Sequence, residues 1–180
     1  MEIPEKELEN IIVNTDRKKL HERGLCFVPP EEETNVKVMR QTYLSDAGRS
    51  DVIMAYRAYS EARNRTVLVI NVIELKKDKL SIDTVSQVLK YVYAIFIYLT
   101  EERGLEEESF IINPIIIGQR VMGDLGFVPQ ILNIDSNIGT INRFGVFTFR
   151  YDIDGLVFKE ATFNYVLVKN NDYDDSELPF

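Results

Sequence analysis

From residue 67 to residue 75 the chain reads Val-Leu-Val-Ile-Asn-Val-Ile-Glu-Leu, an almost unbroken apolar run that predicts a strand buried on both faces. A second strand is expected over 51–59, separated from the first by a polar turn at 60–65. Val36, Val38 and Met39 hint at another strand over 34–44, followed by a turn at 45–48. Upstream, Pro4 suits the first turn of a helix, and Leu8, Ile11, Ile12 and Leu20 recur at helical spacing. One helix ending near Gly24 is therefore expected, with Pro29-Pro30 and the glutamates after them forming a loop. Ser81 can cap a long helix that runs to about Arg103, where Gly104 stops it. Val85, Val88, Leu89, Val92, Ile95, Phe96 and Leu99 spread over a broad arc of that helix, and Gln87, Tyr91, Ala94 and Tyr98 line a second stripe.

Beyond it, residues 110–118 predict a strand in which Pro114 would suit an edge or a bulge. A short helix is expected over 119–125. Further strands are expected over 130–134, 141–151 and 156–168, with Asp154-Gly155 as a hairpin turn. From Lys169 the chain turns polar and acidic. The expected organisation is an α/β domain over 1–169, with a mixed sheet flanked by helices and extra C-terminal strands, then an acidic tail over 170–180.

At 180 residues and 45% apolar content the chain can bury a core as one domain. One cysteine, Cys26, and one histidine, His21, exclude a disulfide framework, a multi-cysteine zinc site and a paired-histidine relay. Cys26, beside Phe27 and Val28, is expected to fill the core, and His21 to lie on a helix surface. The acidic N-terminus does not read as a signal peptide, and the apolar run over 91–99 is too short to span a bilayer. A cytoplasmic location with no membrane partner is the default. The net charge of −8 argues against a simple electrostatic DNA binder. Asp172, Asp174, Asp175 and Glu177 supply half of it, so Arg40, Arg49, Lys76, Lys77 and Lys79 could still form a basic groove.

The chemistry concentrates between Gly48 and Tyr91. Asp51 heads one apolar strand, and Glu74-Leu75-Lys76 ends the next. Side chains alternate along a strand, so Glu74 and Lys76 leave on the same face. Charge at the end of so apolar a strand needs a partner, which a metal or an ion pair would supply. Two carboxylates can hold a hard cation through oxygen, and a lysine beside them can orient or deprotonate water. Glu5 and Glu9 are most simply helix N-terminal charges favoured by the macrodipole.

The sequence carries Gly48-Arg49-Ser50-Asp51-Val52-Ile53, then Val72-Ile73-Glu74-Leu75-Lys76, then Gln87-Val88-Leu89-Lys90-Tyr91. In that order these segments resemble the PD-(D/E)XK nuclease superfamily, in particular its NucS-like endonuclease branch. The resemblance covers roughly the first 120 residues and includes Glu5-x-x-Leu8-Glu9 as the first-helix acidic motif. It implies a restriction-endonuclease-like core and hydrolysis of DNA with Mg²⁺ or Mn²⁺. Asp51, Glu74 and the Leu75 carbonyl would then ligate metal, with Glu5, or Glu9 in its place, approaching from the first helix. Lys76 would position the attacking water, Gln87 would support the site, and Arg49, Lys77 and Tyr91 would meet the nucleic acid.

The final residues, Asp174-Asp175-Ser176-Glu177-Leu178-Pro179-Phe180, resemble the acidic tip of bacterial single-stranded-DNA-binding proteins. That likeness implies a docking peptide, with Phe180 in an apolar pocket, Leu178 and Pro179 beside it, and Asp174 and Asp175 on a basic rim. Its reader would be a replication or repair protein, a sliding clamp, or this chain's own basic groove. Two other classes stay open. One is a catalytically inactive nuclease-fold interaction protein, such as a phage modulator of DNA-processing proteins, and the other is a single-stranded-DNA-binding protein. Exposed strand edges would also suit a homodimer.

Overall fold

The computed structural model describes residues 3–33, 35–123, 144–153 and 155–161. Their elements, in chain order, are α1 (Glu5–Asn14), α2 (Arg17–Glu22), β1 (Lys37–Tyr43), β2 (Arg49–Ser60), β3 (Arg65–Leu75), β4 (Lys79–Leu80), α3 (Ile82–Ile97), β5 (Phe110–Gly118), β6 (Arg120–Val121), β7 (Gly145–Asp152) and β8 (Gly155–Glu160). Six strands form one mixed sheet in the order β1-β2-β3-β5-β7-β8, and β4 pairs with β6 in a small parallel ribbon. In the large sheet β1, β2 and β3 run antiparallel, while β3-β5 and β5-β7 are parallel. A parallel pair needs a crossover, and α3 supplies the one between β3 and β5.

Helices cover both faces. On one, Leu8 and Ile12 of α1 and Leu20 of α2 pack with Val52, Met54, Ile73, Leu75, Ile115 and Phe147. On the other, Val85, Val88, Val92 and Ile95 of α3 pack with Ile53, Ile70, Val72, Ile112 and Ile116. The β3 sequence explains why both are possible: Val72 serves the α3 face and Ile73 the α1 face, so both parities must be apolar. At about 1.5–3 kcal/mol for each large apolar side chain fully buried, this double layer is the main stabilising term.

Helix α3 starts on a capping box, in which Ser81 and Thr84 exchange side-chain and backbone hydrogen bonds. Its end widens into a π turn at Tyr98–Glu102, closed by the Arg103 N–H on the Tyr98 carbonyl. The continuous helical segment Ile82–Glu102 is long and apolar enough, by length and composition, to cross a bilayer, unlike the shorter run that the sequence suggested. In the fold its apolar stripe packs on the sheet.

Three expectations change. The single helix predicted up to Gly24 is two, because Asp16 caps a new start by accepting the Lys19 N–H. Gly24 does end α2, with φ of +102°, and a Cβ there would lie 2.2 Å from the Phe158 carbonyl oxygen. Pro114 keeps to a local edge, as expected, paired with Val72 of β3 on one side only. The β7 ladder begins only at Ile115–Gly145, so among the described residues that half of β5 has no strand on its other side. Residues 120–121, expected to be helical, are the strand β6. Cys26 is exposed, and its partner contact is the Glu160 carboxylate at 3.9 Å. The strand expected at 130–134, the far end of that expected at 156–168 and the tail lie outside the described residues.

Candidate active site

Gly48 has φ of +105° and ψ of −146°, a conformation essentially reserved for glycine. It turns the chain into β2, so that Arg49 and Asp51 follow at fixed positions. The β2–β3 ladder ends at the pair Val52–Ile73, and the two strands part beyond it. Asp51 and Glu74 sit at that parting.

Asp51 bridges the gap with its side chain. Its Oδ2 accepts the Leu75 backbone N–H at 2.8 Å, and its Oδ1 accepts from the Gln41 amide at 3.1 Å. A residue in an extended strand turns its N–H and C=O to the same side, so the Leu75 carbonyl also faces β2. The neighbouring N–H, that of Lys76, goes the other way and continues the β5 ladder at the Ile117 carbonyl, 2.8 Å away.

Glu74 is 2% exposed. Its Oε1 accepts from Lys76 Nζ at 2.6 Å, while its buried Oε2 has no hydrogen-bond partner. Lys76 also donates to Gln87 Oε1 at 3.2 Å. The Gln87 amide donates to the Tyr91 hydroxyl at 2.7 Å, and that hydroxyl donates to the Arg49 carbonyl at 2.9 Å. One chain of hydrogen bonds thus joins the end of β3, the buried side of α3 and the start of β2.

From the other face, α1 brings two acids. Glu5 Oε1 accepts the Lys77 N–H at 3.2 Å. Glu9, largely buried, pairs with Arg40 at 3.4 Å and accepts from Gln41 at 2.6 Å.

The electrostatics follow from crowding acids at a buried point. Burial, and then the Asp51 charge, push the Glu74 carboxyl up from 4.5 to about 7, against the opposing effect of Lys76. Burial also raises Asp51, more than the Leu75 and Gln41 hydrogen bonds lower it. For Lys76, burial alone would lower the ammonium. The hydrogen bond and charge of Glu74, helped by Glu5 and Asp51, outweigh it and leave the group above its ordinary value. Burial raises the Tyr91 phenol.

The fold therefore brings Asp51, Glu74, Leu75, Lys76, Gln87 and Glu5 together. Arg49 and Lys77 are exposed beside them. Tyr91 is a correction: it is 2% exposed and holds Gln87 and β2 in place, so it cannot meet nucleic acid. The partner that the charge at the end of β3 needs is in part the ion pair with Lys76, at 2.6 Å, and Glu74 is buried. Gln41 is a member of the site that the pattern along the chain did not single out, and Arg40, read as part of a basic groove, is paired with Glu9. Asp174, Asp175, Leu178, Pro179 and Phe180 lie outside the described residues.

No three His, Cys, Asp or Glu side chains among the described residues form a ready-made metal cluster. The donor set is smaller: two carboxylates, one carrying an unpartnered buried oxygen, and a carbonyl on the same side. That set fits Mg²⁺ or Mn²⁺, hard ions bound through one or two carboxylates with waters completing the shell. No family model matches the chain, and neither a curated protein nor a solved structure matches it.

Proposed function

We propose that the protein is a Mg²⁺- or Mn²⁺-dependent nuclease of the PD-(D/E)XK type that hydrolyses phosphodiester bonds in DNA. The observation that carries this reading is the buried, unpartnered Glu74 Oε2 beside Asp51, at the point where β2 and β3 separate. Glu74 and Asp51, with the Leu75 carbonyl, would hold the ion. A bound divalent ion supplies Lewis acidity at the phosphate and a more acidic water at neutral pH.

The chain's own residues do the rest. Lys76 keeps its proton while Glu74 is ionised, so it acts as a hydrogen-bond donor and a positive charge, not as a base. It orients the attacking water and stabilises negative charge growing on the phosphate oxygens. Gln87 accepts from Lys76 and fixes the direction of its ammonium, and Tyr91 fixes Gln87. Arg49 and Lys77 are placed to receive backbone phosphates. The tail, through Asp174, Asp175, Leu178, Pro179 and Phe180, would dock on a replication or repair partner.

The acidic net charge of −8 favours the second reading, a nuclease-fold protein that has lost activity and occupies DNA-processing partners. Cleavage of labelled single-stranded, duplex and forked DNA separates the two. The nuclease cuts at least one substrate with Mg²⁺ or Mn²⁺ and none with EDTA, and removal of residues 174–180 leaves cutting intact or increases it. Failure on all three substrates with Mn²⁺ present transfers the assignment to the interaction protein.

A further inference from the structure

Three non-glycine residues among those described have positive φ: Gln41 at 44°, Ser45 at 48° and Asn64 at 49°. Ser45 and Asn64 lie in the turns that flank β2, where left-handed backbone is ordinary. Gln41 lies inside β1, where a long side chain gains nothing locally from that conformation. The register passes from Arg40–Val52 to Thr42–Ser50, and the residue between them is the one that faces Asp51.

The compensation is in the side chain. Its amide nitrogen donates to Asp51 Oδ1 at 3.1 Å and to Glu9 Oε2 at 2.6 Å. Glu9 is itself fixed by Arg40, which also donates to Asn10 of α1 at 2.8 Å. With the Leu75 N–H on Oδ2, both oxygens of Asp51 are held, one from β3 and one from β1. We infer that Gln41 is a positioning residue for Asp51, locking the carboxylate in the orientation that receives the divalent cation and tying it to α1 through Glu9. The inference rests on the metal-site reading above. An amide suits the task because it fixes a carboxylate without neutralising it, whereas a lysine or arginine would compete with the metal for its charge. Partners of this kind, one bond removed from the metal, are worth about 10–100-fold in metal affinity.

The test compares Gln41→Gly and Gln41→Ala with the wild type in the full chain. Mn²⁺ affinity is read by calorimetry, and stability of the metal-free protein by urea unfolding. Glycine adopts φ of 44° without strain and alanine only at a cost, so the glycine variant unfolds at higher urea than the alanine variant. Both lack the amide, so both lose Mn²⁺ affinity by about tenfold or more, whatever their stability. Affinity that follows stability, with Gln41→Gly binding Mn²⁺ as the wild type does, overturns the positioning role. Wild-type protein without Mn²⁺ affinity overturns the metal-site reading itself and this inference with it. Wild-type affinity shared by both variants overturns the role of Gln41 alone.

Discussion

Asp51 accepts the backbone N–H of Leu75 across 2.8 Å, at a point where the β2–β3 ladder has already ended. A side chain thus completes the edge of the sheet and points charge into the site. Asp51→Asn keeps an acceptor for Leu75 and removes a charge that burial disfavours. The metal-free variant is expected to melt no lower than wild type at pH 8, with Mn²⁺ affinity reduced by more than about 100-fold. Asp51→Ala leaves the Leu75 N–H without its acceptor, at a cost of about 1–3 kcal/mol, while the Gln41 amide keeps Glu9. Calorimetry and urea unfolding of both variants check the pair.

Glu74 makes the metal-free protein sensitive to pH. Its carboxyl is raised in the fold, from 4.5 to about 7, so the folded state favours the protonated form. The resulting stability is fully present below pH 4.5 and is lost as pH rises through about 7, a change on the order of 3 kcal/mol. Asp51 is raised too and acts in the same direction. Lys76, raised above 10.5, contributes stability that is lost only above that value and so does not alter this window. Glu74→Gln removes the Glu74 share of the dependence, leaving that of Asp51, and melts higher than wild type at pH 8. Unfolding curves from pH 4 to 9 for both proteins decide it.

Metal binding reverses the sign. An ion on Glu74 must displace the proton, so Mn²⁺ affinity is expected to rise with pH up to about 7 and to level off above it. Calorimetry at pH 6 in buffers of different ionisation enthalpy measures the proton released. Release near zero at pH 6 would contradict ligation by Glu74.

Tyr91→Phe tests the strut behind Lys76. The hydroxyl joins Gln87 to the Arg49 carbonyl, and its loss is expected to cost about 1–2 kcal/mol of stability. On the nuclease reading proposed above, the rate of the chemical step is expected to fall while DNA affinity holds, because Tyr91 is buried. Single-turnover cleavage and filter binding separate the two effects.

Elements built from local pattern were legible in the sequence. The apolar run of β3, the strand β2 and the capped helix α3 follow from periodicity and from Ser81, and the spacing of Asp51, Glu74, Lys76 and Gln87 pointed to one site. What escaped was set by distant partners. Asp16 restarts a helix within a stretch whose apolar spacing is continuous. Gln41 carried no signal at all, since its role depends on a backbone angle inside an edge strand and on two acids 32 and 10 residues away. Cys26 was read from its apolar neighbours, and only the packing of the α2–β1 connection shows that it faces outward.

The decisive measurement is Mn²⁺-dependent cleavage of labelled DNA by wild type beside Glu74→Gln, with both proteins shown to be folded by thermal melting. Wild type is expected to cut with Mn²⁺ and stop with EDTA, and Glu74→Gln to cut more than about 100-fold more slowly. Cleavage undiminished in a folded Glu74→Gln, or none by wild type on any substrate with Mn²⁺, would contradict a metal-dependent nuclease centred on Asp51 and Glu74.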